Sequence, residues 1–223
     1  MEATERRLRI LGQVDLEGIL HLPTGAPPGV GVVVCHPHPL YGGDMHNPVV
    51  AALARECARH GLAALRFNTR GTGQSAGRFG GGPAEVADLG AALAWLAEHL
   101  GQQAPLGAAG YSFGAAVAVA YAAGAGRGPA LRALALVGLP LNFPDMDWCD
   151  PTALAGSDLP VLAVVGEQDE FAPPELLART LAPLGPRATL RLVPGADHSY
   201  EGHRAAVGAA VANFLAGELR GRP

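Results

Sequence analysis

At GAAGYSFGAA, residues 107–116, an apolar run of strand type stops and an Ala-rich run of helix type begins, and the residue at the junction is Ser112. A chain that turns this sharply from strand to helix needs small residues on both sides of the turn. Gly110 and Gly114 supply them, giving G-x-S-x-G in the context that gives the pattern meaning. The turn strains the serine backbone and presents its oxygen at the sheet edge, with the N–H groups and dipole of the next helix behind it. An ordinary serine helix cap needs no flanking glycines. The motif therefore marks a nucleophile on display, provided that its chemical partners exist elsewhere in the chain.

The flanking sequence fits the sheet that such a turn requires. LRILG and LEGILHLP read as a hairpin pair, and 29–36 is a β-branched run, apolar on both faces as a central strand is. From Pro48 the period becomes helical, with Val49, Leu53 and Cys57 on one face and Gly61 as the stop. Strand 62–67, helix 84–100, the strand leading into Ser112 and the helix after it follow. Then come strands 131–139 and 160–166, helix 174–184, strand 188–194 and helix 203–219. Strands alternating with helices through short loops predict an α/β fold, a mostly parallel twisted sheet with helices on both faces. With 223 residues, 49% apolar and 16% charged, the chain has the composition of a single globular domain, 1–223.

A serine hydroxyl is a poor nucleophile until a histidine takes its proton and a carboxylate fixes that histidine's tautomer. In open α/β sheets such groups belong at the carboxyl ends of strands. VVGEQDEFAPPE places Asp169 just past one strand, with Glu167 and Glu170 as rivals. LVPGADHSY places His198 just past the next, with Asp197 beside it as a turn former. Two further loops compete for attention. HPHPLYGG, residues 36–43, has histidines at i and i+2, yet only Asp44 and His46 lie nearby as further ligands, so no metal is expected. NTRGTGQSAG, residues 68–77, lacks the lysine and spacing of a phosphate loop, which makes Ser75 a structural serine. Trp95, on its amphipathic helix, is assigned to the core.

CHPHPLYGGDMHNPVV, RFNTRGTGQSAG and GYSFGA together resemble the α/β-hydrolase superfamily over essentially the whole chain. Within it, they are similar to small bacterial hydrolases that lack a lid domain. The resemblance implies the three-layer α/β-hydrolase fold and the chain order Ser112, Asp169, His198 for nucleophile, acid and base. GEQD is the acid loop of that superfamily, and its short aspartate suits a tightly held orienter. The loop after the third strand would supply one oxyanion N–H and the residue after the nucleophile, Phe113, the other. Pro37 and Pro39 have no N–H, which leaves His38 or Leu40, and the commoner H-G-x form of the loop favours His38.

Only about twenty residues separate Leu139 from Pro160, where lidded relatives insert whole helical caps, so little more than a flap can cover the site. Leu40, Tyr41, Phe143, Met146, Trp148 and Phe171 would give a mostly apolar substrate pocket with few charges. The expected activity is hydrolysis of a small, uncharged carboxylic ester through an acyl-enzyme, without a cofactor. Amides, lactones and thioesters are alternatives for the same machinery, and a non-catalytic ligand-binding protein is an alternative on the same fold. Net charge is −4 and the basic residues are scattered arginines with no lysine, which argues against a nucleic-acid partner. The amino-terminal MEATERRLRILGQ has no apolar core of a signal peptide, and no apolar run approaches the ~20 residues of a membrane span. Cys35, Cys57 and Cys149 are odd in number and without a C-x-x-C pair, as suits a reducing cytoplasm.

Overall fold

The computed structural model describes residues 4–25, 28–144, 146 and 148–221. The expected domain, 1–223, extends beyond them at both ends. Its strands are β1 (Thr4–Ile10), β2 (Leu16–Leu22), β3 (Gly31–Cys35), β4 (Ala63–Phe67), β5 (Leu106–Tyr111), β6 (Leu131–Val137), β7 (Val161–Gly166) and β8 (Ala188–Val193). The α-helices are α1 (Pro48–Arg59), α2 (Pro83–Leu100), α3 (Phe113–Ala120), α4 (Pro174–Leu181) and α5 (Arg204–Arg220).

The strands form one sheet in the order β1-β2-β4-β3-β5-β6-β7-β8. β1 and β2 pair antiparallel as the hairpin read from sequence, and β2 joins β4 antiparallel; all remaining pairs are parallel. The order explains where a ligand can enter. β3 and β5 are neighbours, but the chain leaves β3 through α1 toward β4 and leaves β5 through α3 toward β6. Loops departing in opposite directions open a crevice at the carboxyl ends of these two strands. Right-handed crossovers in opposite directions also place α1 and α3 on opposite faces.

Alternation along the strands sorts the core accordingly. Val32, Val34, Ala64 and Ala109 pack with Val49, Leu53 and Cys57 of α1 and Val207, Val211 and Leu215 of α5. Val33, Cys35, Leu65 and Ala108 face the other way, onto Leu89 and Leu93 of α2, Val117 of α3 and Leu177 of α4. Trp95 packs, partly buried, on that second cluster and stacks on His99 with ring centroids 5.1 Å apart. Asn47 caps α1 as its side-chain oxygen accepts the Val49 N–H at 2.9 Å. Helix 174–184 is shorter than its periodicity suggests. It ends at Leu181 and tightens into a 3-10 turn over Ala182–Arg187, because Pro183 and Pro186 have no N–H to continue the ladder. No helix among the described residues is long and apolar enough to cross a membrane.

Candidate active site

Ser112 stands between β5 and α3 with φ +55° and ψ −124°, a left-handed backbone that a serine adopts only under constraint. Its N–H donates to the Val137 carbonyl at 2.9 Å, tying the turn to β6. The glycines have a steric cause. A Cβ on Gly110 would collide with the Gly114 carbonyl, and one on Gly114 would sit 2.5 Å from the Cys35 carbonyl oxygen and 2.6 Å from that of His36. Ser112 occupies the cap position of α3 without making a side-chain cap bond. Its Oγ instead lies 2.9 Å from His198 Nε2.

His198 Nδ1 in turn lies 2.8 Å from Asp169 Oδ2 and 2.9 Å from Oδ1. Asp169 is buried at the end of β7, and its Oδ1 also accepts the Phe171 and Ala172 N–H groups at 3.1 and 3.0 Å. A carboxylate so held can present only one geometry to the imidazole. Gly138, at the end of β6 with φ +56°, makes room for the pair: a Cβ there would be 3.0 Å from His198 Cε1 and 3.3 Å from Asp169 Oδ2. The Tyr111 hydroxyl donates to the His198 carbonyl at 2.8 Å. Burial, with the Asp169 charge second, pushes that phenol up to about 12, so it remains a donor. Sequence reasoning passed over both Gly138 and Tyr111, although a glycine closing a parallel strand beside the nucleophile strand was a visible signal for the first.

The other carboxylates of these loops have different partners. Glu167 is exposed, and its Oε2 accepts the Gly195 N–H at 2.8 Å, pinning the turn that leads to His198. Glu170 is exposed and lines a cleft that it shares with Asp197 and His198. Asp197 accepts the Ser199 N–H and hydroxyl at 2.9 and 2.7 Å, the turn-forming role expected of it.

The loop after β3 is a tight 3-10 turn over Pro39–Tyr41. The Leu40 N–H donates to His38 Nδ1 at 3.2 Å, the Tyr41 and Gly43 N–H groups to the His38 carbonyl at 3.1 and 3.0 Å, and the Gly42 N–H to the Pro39 carbonyl at 3.1 Å. Prolines have none, so within 37–43 the His38 N–H is left without a hydrogen-bond partner among the described residues. The Phe113 N–H, at the first position of α3, is likewise unengaged. Of the two N–H groups the sequence left open as donors, that of Leu40 is thus occupied and that of His38 is free among the described residues.

Ser112 and His198 open into a cavity of about 430 Å³. Its wall includes Tyr41, Phe143 and Phe171, and among the described residues no Asp, Glu or Arg lines it. His38, expected at the site for its N–H, joins them, as do Asn47 and Pro144, which no sequence pattern marked. Phe171 meets the His198 ring edge-on at 4.9 Å, and the His38 ring sits among Tyr41, Phe79, Phe113 and Phe143. Burial there lowers the His38 imidazole below its ordinary range, so it is neutral at pH 7. Leu40, Met146 and Trp148 are not among the lining residues. Leu40 is 70% exposed, Met146 packs on the core, and Trp148 packs against Gly82 and, at 5.6 Å between centroids, behind Phe113. A second crevice of about 600 Å³ lies at the other end of the sheet, around Tyr121, Leu131 and Pro160, away from Ser112 and His198.

The histidines of HPHP have separate duties. His36 is 1% exposed and bonded within the protein through both nitrogens, while His38 borders the cavity. Among the described residues no group of three or more His, Cys, Asp or Glu side chains could hold a metal ion. Ser75, expected to be structural, donates to the Asn68 carbonyl at 2.7 Å and accepts the Glu17 N–H at 3.0 Å.

Residues 32–216 match the alpha/beta hydrolase domain, and the chain belongs to that family. It is similar to an alpha-beta serine hydrolase homologue from Coxiella burnetii, 32% identical with a TM-score of 0.83 over 94% of this chain and 97% of that one. A Xanthomonas campestris protein described as an α/β serine hydrolase without lid is 29% identical, with a TM-score of 0.82 over 98% of this chain and 97% of that one. An uncharacterized protein of Rickettsia prowazekii is 31% identical over 173 residues, 75% of this chain and 71% of its own length.

Proposed function

We propose that this protein is a serine hydrolase that cleaves small carboxylic esters through an acyl-enzyme, with Ser112, His198 and Asp169 as its catalytic triad. The observation that carries the reading is the unbroken hydrogen-bonded line from Ser112 Oγ to His198 at 2.9 Å and on to Asp169 at 2.8 Å, opening into a cavity that no Asp, Glu or Arg lines among the described residues. Its similarity to the serine hydrolase homologue of Coxiella burnetii and to the lidless Xanthomonas protein supports the same class.

In this mechanism His198 Nε2 takes the Ser112 proton as Oγ attacks the ester carbonyl, and Asp169 stabilises the imidazolium and keeps Nδ1 protonated. The Phe113 and His38 N–H groups receive the negative oxygen of the tetrahedral intermediate. His198 then passes its proton to the departing alkoxide, leaving the acyl group on Ser112. Water, deprotonated by the same imidazole, releases the acid. Every step uses groups of this chain and needs no cofactor. The compartment that suits three unpaired thiols is a reducing cytoplasm.

The test is treatment with a fluorophosphonate alongside turnover of a p-nitrophenyl ester. The wild type should gain one covalent adduct, and Ser112→Ala should lose both the adduct and ester turnover, the latter by on the order of 10³-fold or more, while melting like the wild type. An unlabelled wild type, or substantial turnover in purified Ser112→Ala, would overturn the assignment.

A further inference from the structure

We propose that His36 is a positioning residue for the oxyanion hole: its imidazole fixes the Pro37–His38 peptide so that the His38 N–H faces the reacting carbonyl. The proposal rests on the hydrolase reading above and extends it to a side chain that touches no substrate.

His36 is 1% exposed, and both ring nitrogens are engaged. Nε2 accepts the Thr69 N–H at 3.1 Å, with the Thr69 hydroxyl 3.0 Å from the same atom. A backbone N–H can only donate, so Nε2 carries no proton and Nδ1 does. Nδ1 lies 2.7 Å from the Pro37 carbonyl oxygen and donates to it. In a planar trans peptide the carbonyl and the following N–H point in opposite directions. Anchoring the Pro37 oxygen to an interior imidazole therefore turns the His38 N–H outward, toward the cavity that holds Ser112.

Two further features hold this peptide and the one after it. A Cβ on Gly43 would collide with the Pro37 carbonyl and come within 2.7 Å of the His38 carbonyl oxygen, so the returning chain presses on this unit as only glycine allows. The His38 carbonyl is held by the Tyr41 and Gly43 N–H groups at 3.1 and 3.0 Å. The arrangement also affects donor strength. A carbonyl that accepts a hydrogen bond polarises its amide and makes the attached N–H a better donor, so Thr69, His36, the amide and the oxyanion form one cooperative chain. Burial lowers the His36 pKa to about 4, which keeps the imidazole in the required neutral form at pH 7.

Three variants test this with steady-state kinetics on a p-nitrophenyl ester, thermal melting and the rate of fluorophosphonate labelling. His36→Leu removes the donor. His36→Asn carries an amide N–H near the Nδ1 position, and His36→Gln carries one only near Nε2. Loss of a single oxyanion donor costs about 10²-fold or more in kcat, so His36→Leu should lose about that in kcat and in labelling rate, with KM within about twofold. His36→Asn should recover most of the loss and His36→Gln should not. A folded His36→Leu protein with near-wild-type kcat would overturn the proposal, as would equal kcat in the Asn and Gln variants. If His36→Leu does not fold, the Asn–Gln comparison decides alone. A wild type inert to both ester and phosphonate would overturn the hydrolase reading and this proposal together, whereas an active wild type with indifferent His36 variants would overturn the proposal only.

Discussion

Glu167 and Asp169 lie two residues apart in one loop and are held for different ends. Asp169 is buried, with two backbone N–H groups and the His198 imidazole on its oxygens, whereas Glu167 is exposed and holds the Gly195 N–H. Asp169→Asn should therefore reduce kcat by about 10⁴-fold, because an amide that donates toward Nδ1 selects the wrong tautomer. Glu167→Gln keeps an acceptor for Gly195, and an exposed change of this kind costs within about 0.5 kcal/mol. Measuring kcat for both variants checks the assignment, and a larger loss in Glu167→Gln would transfer the orienting role to Glu167. The rivalry between these residues was visible in GEQD. What sets Asp169 apart is that it faces inward beside Gly138, just past β6, where a glycine leaves space for the imidazole.

The loop 68–77, rejected as a phosphate loop, braces the elements that carry the site. Asn68 Oδ1 accepts the Met45 N–H at 2.7 Å, Thr69 meets His36, and the Arg70 guanidinium grips Asp88 of α2 at 2.7 Å. Asp88 also accepts the Arg70 N–H at 2.9 Å and is 2% exposed, so deleting its carboxylate strands both groups. Removing one partner of a buried pair costs about 3–5 kcal/mol. Because Arg70 keeps some access to water, Asp88→Ala should lower unfolding stability by about 3 kcal/mol, at the lower end of that range. Denaturant unfolding measures it, and a loss below about 1 kcal/mol would show that the brace is dispensable. Beyond Phe143 and Pro144, which line the cavity, described residues of the flap after β6 likewise serve packing. Its Pro151–Gly156 3-10 turn buries Leu154 in the core, and Trp148 backs Phe113 from behind instead of covering the cavity. Periodicity cannot reveal such a segment, since a turn of this length has no repeat to read.

Across the whole molecule, two buried histidines set the acid limit of the fold. His21 accepts from Arg66 Nε at 2.8 Å and His36 from Thr69, and burial above all lowers each pKa from 6.5 to about 4. Between these values the unfolded chain binds protons that the folded one refuses. Stability then rises with pH, is fully present above about pH 6.5 and is lost as pH falls toward 4. Thermal melts between pH 7 and 4.5 should show a steadily falling Tm, with a shallower slope in His21→Gln; a flat profile would contradict this. Cavity size sets the other global property. On the proposed ester-hydrolase reading, the cavity of about 430 Å³ has to take both the acyl and the alcohol part of the substrate, which limits the space for the acyl chain. Each methylene adds ~0.8 kcal/mol of burial only until the space is full. On that burial argument kcat/KM should peak at roughly two to six acyl carbons, with no jump on emulsified substrate. An ester series run with and without droplets checks it, and a long-chain optimum would require a groove that this cavity does not provide.

Local sequence was enough for the strand-turn-helix at Ser112, the alternation of strands and helices, and the order in which serine, acid and histidine occur. The first two are set by short-range sterics and by periodicity, which neighbouring residues carry themselves, and the third was implied by the family resemblance. Tertiary structure decided which N–H of HPHPLYGG remains free, which aromatics reach the cavity, and that His36 belongs with Thr69. Those outcomes depend on β3 lying between β4 and β5, which brings residues 36 and 69 together across a distance in sequence that no local pattern spans. A hydrogen bond between remote loops follows from where the sheet places them, so it is read from the assembled fold and not from either loop.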